Sequence, residues 1–190
     1  MQKTYLCIDL KSFYASVECV ELGLDPFKVN LVVADPTRCG GAITLAATPA
    51  IKKLGVSSRG RIFEIDPKIE YMIAPPRMHL YMEYSCKVYK VFLEFIAKED
   101  IHVYSIDESF LDVTSYLKLY QVNAKELAKK MLDRIYEKTG LTATVGIGTN
   151  LYLAKIAMDI SAKHNADRMA YLNEDLYRQT LWHHVPLTDF

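Results

Sequence analysis

The stretch from His102 to Val113, HVYSIDESFLDV, carries two runs of strand-forming residues, HVYSI at 102–106 and SFLDV at 109–113, separated only by Asp107 and Glu108. Branched and aromatic side chains suit a pleated, half-buried surface, and turn acids hydrogen-bond their own backbone, so the stretch predicts a tight hairpin with an acidic tip. Upstream, Leu80, Tyr84, Val88, Val91, Phe92 and Phe95 recur at helical spacing and predict a long amphipathic helix to about Ala97. Before it, Pro67 and the pair Pro75-Pro76 bracket a strand near Ile69 to Ile73. Downstream, Asn123 with Glu126 forms a capping box for a helix whose buried stripe is Ala124, Leu127, Met131 and Ile135, stopped by Gly140. The strand TATVGI at 142–147 follows, and Asn150 caps a helix with Leu153, Ala157 and Ile160 on one side. Strand, helix, hairpin, helix, strand, with the N-terminal strand TYLCID at 4–9 added, predicts an α+β fold built on a ferredoxin-like sheet, antiparallel or mixed, with helices packed on one face.

The first strand runs directly into a helical stretch from Lys11 to Leu22, closed by Gly23, and so delivers Asp9 to its own C-terminal end. The segment of roughly 20–76 reads as a small α/β insertion: a strand at Val29 to Ala34, the turn-rich DPTRCGG, and a short helix that Thr48-Pro49 begins and Gly55 ends. Beyond Tyr171 the chain begins one more helix and then stops without a closing element, as a truncated chain would.

The 190 residues hold 23 Lys+Arg against 23 Asp+Glu, a formal net charge of +0, and 51% are hydrophobic, which excludes a disordered chain and predicts a sizeable core. No apolar run approaches the roughly 20 residues that span a bilayer, and Lys3 and Asp9 interrupt the N-terminus, so neither a membrane partner nor a signal peptide is expected and the location is expected to be cytoplasmic. Cys7, Cys19, Cys39 and Cys86 form no CxxC pair and are expected to be reduced and mostly buried. A balanced charge offers no general electrostatic case for nucleic acid, which must therefore rest on particular sites.

Three acids stand at strand ends, Asp9 after the first strand and Asp107 and Glu108 at the hairpin tip. Carboxylates gathered together need cations, and hard divalent ions with oxygen ligands suit them. A pair of such ions clamps the attacking and leaving oxygens of a phosphoryl transfer.

YLCIDLKSFYASVE at 5–18, YSIDESFLDVT at 104–114 and TATVGIGTNLYLAKIA at 142–157 together resemble, in order, the three palm signatures of the Y-family translesion DNA polymerases, and most nearly the UmuC-like branch of the ImpB/MucB/SamB type. The resemblance covers nearly the whole chain. It implies a palm from 1–19 and 77–170, fingers from 20–76, and the start of a truncated thumb from 171–190. It implies that Asp9, Asp107 and Glu108 are catalytic and hold two Mg²⁺ ions, for which Mn²⁺ can substitute, with the backbone carbonyl of Leu10 as a further ligand. Tyr14 matches the steric gate that excludes ribonucleotides, with Phe13 beside it at the incoming nucleotide. Many members carry a Tyr and an Arg that hold the triphosphate; the matching positions here are Pro49 and Lys52, and Lys52 is a point charge without the fork of Arg. Lys163 matches a triphosphate-contacting lysine and Lys155 is a further candidate, although the two stand eight residues apart where the resemblance implies seven. The implied partners are primer–template DNA and deoxynucleoside triphosphates, with a sliding clamp and a recombinase filament reached through regions further along such proteins. The implied function is error-prone, template-directed DNA synthesis in translesion repair. Two other readings use the same features: a catalytically silent, polymerase-derived module that binds DNA or partners, and a palm-fold nucleotidyl cyclase.

Overall fold

A computed structural model describes residues 2–189, and the side chains of all of these except Cys39, Gly40 and Asp189. In chain order the elements are β1 (Tyr5–Leu10), α1 (Phe13–Glu21), β2 (Leu31–Val33), β3 (Ala46–Ala47), α2 (Pro49–Lys52), β4 (Met72–Ala74), α3 (Met78–Leu93), β5 (Ile101–Val103), β6 (Glu108–Asp112), α4 (Thr114–Tyr120), α5 (Ala124–Thr139), β7 (Ala143–Gly148), α6 (Leu151–Ile156), β8 (Met169–Leu172) and α7 (Glu174–Thr180). They form two compact units, one made of Met1–Leu10, Lys87–Lys138 and Thr142–Phe190, the other of Lys11–Cys86 and Thr139–Leu141. Among the described residues no helix is long and apolar enough to cross a membrane.

The first unit is built on a mixed five-stranded sheet in the order β5-β6-β1-β7-β8. β1 lies between β6 and β7, antiparallel to both, and β8 runs parallel to β7 at the edge. Because side chains alternate along a strand, the pairings of Cys7 with Phe110 and Gly146, and of Asp9 with Glu108 and Thr144, put all of these on one face. The other face carries Leu6, Ile8, Leu111, Val145 and Ile147, all buried. The polar end of the first face is therefore a consequence of register, since a slip of one residue would send Asp9 and Glu108 to the opposite side.

Helix α6 lies on the acid-bearing face, where Ala154 and Met158 pack with Cys7 and Phe110. Its approach is as close as backbone allows. A Cβ on Gly146 would stand 1.9 Å from the carbonyl oxygen of Ala154, and one on Gly148 would stand 2.2 Å from the Ala154 nitrogen. The Asn150 side chain caps the helix by accepting from the Leu153 N–H at 2.8 Å. The helix expected to run on as one α-helix instead changes pitch: a π turn occupies Ala157–Ser161 and a 3₁₀ turn follows at Ala162–His164.

The second unit holds the three-stranded sheet β3-β2-β4, with β2 antiparallel to β3 and parallel to β4. Val32, Ala47, Ile51 and Ile65 form its buried cluster, and α1 packs against β2 and β3. The Thr48 hydroxyl ties this sheet to the start of α2, donating to the Val29 carbonyl at 2.7 Å and accepting from the Leu31 N–H at 3.1 Å. Helix α1 begins two residues later than its apolar pattern suggests, because Ser12 at its N-cap is left-handed (φ 49°). It ends as expected at Gly23, where the Leu24 and Gly23 N–H groups return to Cys19 and Val20 and a positive φ of 66° suits glycine.

The hairpin differs from its expected form. Strand β5 stops at Val103 and Tyr104–Asp107 make the loop, so Glu108 is the first residue of β6 and is buried, while only Asp107 stays in the turn. The expected capping box at Asn123 and Glu126 is present, each side chain accepting from the other's N–H at 2.9 Å. Helix α4 and strand β8 carried no pattern of their own: α4 starts because Asp112 accepts from the Thr114 N–H and hydroxyl, and β8 exists by pairing with β7. Cys7 and Cys19 are buried and free, whereas Cys86 is exposed; the side chain of Cys39 lies outside the described residues. Since no shift of a rotamer relieves a clash between a Cβ and a backbone carbonyl, Gly146→Ala is expected to destabilise the chain by about 3 kcal/mol or more in urea unfolding, against well under about 1 kcal/mol for Thr149→Ala on the following turn.

Candidate active site

The three acids come from two adjacent strands and the loop between β5 and β6. Asp9 and Glu108 are direct cross-strand partners, and the Leu10 N–H donates to the Asp107 carbonyl at 2.9 Å, which extends the ladder past the strand end and places Leu10 beside Asp107. Ser105 organises the loop. Its hydroxyl donates to Asp107 Oδ1 at 2.7 Å and accepts from the Glu108 N–H at 3.1 Å. Glu108 Oε1 receives two donors, the Lys155 ammonium at 2.7 Å and the Cys7 thiol at 3.3 Å. Burial pushes the Cys7 thiol well above its usual range, and the neighbouring Glu108 adds to this, so Cys7 stands there as a neutral donor.

The lysines reach the same face from the helix that follows β7. Lys155 bridges Glu108 and Asp159, the latter at 3.2 Å, and Lys163 stands 2.7 Å from Asp159 and 3.9 Å from Asp9. Burial opposes the charged form of both lysines, but Glu108 and Asp159 outweigh it at Lys155, and Asp159 and Asp9 outweigh it at Lys163, so both are held above their usual value. Burial pushes Asp9 up to about 7; Lys163 opposes this, while Asp107, Glu108 and Asp159 reinforce it.

In the second unit, Tyr14 stacks on Tyr81, ring centroids 4.4 Å apart and planes 16° from parallel, and Phe13 meets the same ring edge-on at 6.4 Å. Tyr81 is fully buried and its hydroxyl donates to Glu18 at 2.6 Å. Glu18, also buried, takes a bidentate pair from Arg77, with Nε at 3.1 Å and Nη2 at 2.6 Å. Pro49 is buried as the first residue of α2, and Lys52 in that helix donates to the Ser12 hydroxyl at 3.0 Å, at the entrance to α1. Sequence reasoning missed Cys7, Ser105, Glu18, Arg77, Tyr81 and Asp159 as supports. The one sequence signal was Asp159, an acid four residues from a lysine on either side.

Among the described residues, no three acidic, histidine or cysteine side chains are set to hold one ion as they stand. Ser105, Lys155, Cys7 and Lys163 engage the acids instead. The donor set still suits a hard cation: three carboxylates share one sheet end, and Asp9 is pushed toward protonation by burial and by its neighbours. Gathering them round an ion requires the protein donors to yield. Because the folded-state value of Asp9 exceeds its unfolded value, the folded chain keeps a proton between about pH 4 and 7 that the unfolded chain releases, and this stabilisation is lost as pH rises through 7. Without divalent ions, Asp9→Asn should therefore gain about 4 kcal/mol relative to wild type between pH 4 and pH 8 in urea unfolding. Parallel stability curves for the two proteins would remove the argument for crowded charge.

Residues 8–159 match the impB/mucB/samB family. The chain is 38% identical over 190 residues to a UV-damage repair protein, UvrX, of Bacillus subtilis (strain 168), covering 98% of this chain and 44% of that one. It is 36% identical over 185 residues to DNA polymerase IV 2 of the same organism, covering 95% and 43%. The chain thus spans less than half the length of these relatives. Among solved structures it resembles DinB from Sulfolobus solfataricus, at 26% identity and a TM-score of 0.74 over 93% of this chain and 50% of that one. It also resembles an insertion ternary complex of Dbh DNA polymerase, at 27% identity and a TM-score of 0.75 over the same shares. A match across most of the chain, the paired strand acids and the shared fold together make this chain a member of the impB/mucB/samB family of Y-family DNA polymerases.

Proposed function

We propose that the chain is the nucleotidyl-transfer part of an error-prone, template-directed DNA polymerase that extends primers past damaged bases. The observation that carries this reading is the register that pairs Asp9 with Glu108 and leaves Asp107 in the adjoining turn, on the sheet face that also receives Lys155 and Lys163. Residues 1–19 and 77–170 serve as palm, 20–76 as fingers and 171–190 as the start of a thumb.

Asp9, Asp107, Glu108 and the Leu10 carbonyl are the groups assigned to hold divalent ions, Mg²⁺ first and Mn²⁺ as a substitute. Two such ions, when bound, lower the pKa of a primer 3′-hydroxyl and hold the triphosphate of the incoming deoxynucleotide. Lys163 supplies positive charge beside Asp9 for the triphosphate, and Lys155 steadies Glu108 by donating to one of its oxygens, so that the other is free to turn toward an ion. Lys52, anchored on the Ser12 hydroxyl, adds a point charge for phosphate in place of the Arg that other members carry. Tyr14, backed by Phe13, is the gate against ribonucleotides. Its ring is braced by the buried Tyr81, so it has no easy rotation away from a 2′-hydroxyl. The partners are primer–template DNA and deoxynucleoside triphosphates.

The test is Mg²⁺-dependent primer extension by the full-length protein on undamaged and abasic templates. Asp107→Ala should lower the rate about 10³-fold. Tyr14→Ala should admit ribonucleotides, Tyr81→Ala should admit them in part, and Tyr81→Phe, which keeps the stacked ring, should not. Absence of extension by the wild-type protein, with a clamp supplied, would favour a catalytically silent DNA-binding module.

A further inference from the structure

Asp159 stands outside the acids assigned to metal, yet both lysines of the site meet on it. Its carboxylate, about a quarter exposed, takes Lys163 on Oδ1 at 2.7 Å and Lys155 on Oδ2 at 3.2 Å. Each lysine then reaches a different strand acid, Lys155 to Glu108 at 2.7 Å and Lys163 to Asp9 at 3.9 Å. Acid and lysine alternate through Glu108, Lys155, Asp159, Lys163 and Asp9 in one continuous chain of contacts.

The backbone makes this chain of contacts possible. Lys155 and Lys163 are eight residues apart, and two turns of α-helix take about 7 residues, so in an unbroken helix the second lysine would lie well off the face of the first. Here the helix loosens into a π turn at Ala157–Ser161 and tightens into a 3₁₀ turn at Ala162–His164, which carries Lys163. Asp159 sits at the centre of the π turn, four residues from each lysine, and gives one carboxylate oxygen to each.

We propose that Asp159, carried by this π turn, is a positioning residue for the triphosphate: it holds Lys163 beside Asp9 and Lys155 beside Glu108, and its charge keeps the two ammonium groups from driving each other apart. The proposal rests on the polymerase reading above. Without the Asp159 charge, Lys163 has either Asp9 alone to pair with or open solvent, since its side chain is 40% exposed. Either way it loses the 2.7 Å contact that fixes its ammonium group, and a phosphate chain meets a lysine that is no longer held in one place.

The experiment is single-nucleotide insertion by the full-length protein, comparing wild type, Asp159→Asn and Asp159→Glu. Asp159→Asn keeps the shape and removes the charge; it should raise KM for the deoxynucleotide about tenfold with kcat within about twofold, and Asp159→Glu should recover most of the loss. Calorimetry of tripolyphosphate binding to the metal-free protein should show the same tenfold weakening in Asp159→Asn, independently of any synthesis. An unchanged KM and unchanged tripolyphosphate affinity would overturn the proposal, as would a fall in kcat that neither variant escapes, because that pattern marks a purely structural acid. A wild-type protein whose tripolyphosphate affinity falls in Asp159→Asn but that never extends a primer would instead count against the polymerase reading and leave the positioning role standing.

Discussion

The contact between α6 and β7 is the constraint from which the site follows. Gly146 and Gly148 let the helix backbone rest directly on the strand, with no side chain between them. That seating brings Ala154 and Met158 against Cys7 and Phe110, and it sets the next turns of the same segment over the strand acids. Any larger residue at either glycine would lift the helix by a few tenths of an ångström or more, and the ion pairs of Lys155 and Lys163 tolerate little of that.

Charge at the site is only partly offset within the protein, with two lysines against Asp9, Asp107, Glu108 and Asp159. Three acids at one sheet end would repel one another, and Asp9 registers that repulsion on top of its burial. Lys155 and Lys163 offset part of it, while Asp159, which links the two lysines, adds a further negative charge beside Asp9. A cation entering this site would have to compete with the protein donors for the same oxygens.

The second unit solves a different problem, the rigid placement of an aromatic ring. Tyr14 cannot fix itself, being only partly buried; its ring stacks on Tyr81, whose hydroxyl is locked by Glu18, which Arg77 grips on both oxygens through Nε and Nη2. A buried carboxylate with three donors is costly to disturb, so stiffness is passed outward from Glu18 to the ring.

Local pattern was enough to read the α+β class, the order of the main elements, the capping box at Asn123 and the turn at Gly23, because each depends on neighbours a few residues away. The strand acids and the two lysines could be picked out by their motifs. The hairpin's true shape could not, since the Ser105 hydroxyl draws Glu108 into the strand; nor could β8, which exists only through its pairing with β7. Asp159 and Tyr81 gain their meaning from partners many positions distant, as with Lys155 and Glu108, 47 residues apart, and Tyr81 and Glu18, 63 apart. The sequence by itself determined which chemical groups are available and which strands carry them. Only the tertiary structure decided which of those groups meet, because sheet register, the glycine contact and the phase of a π turn are set by packing between segments and leave no period in the chain to be read.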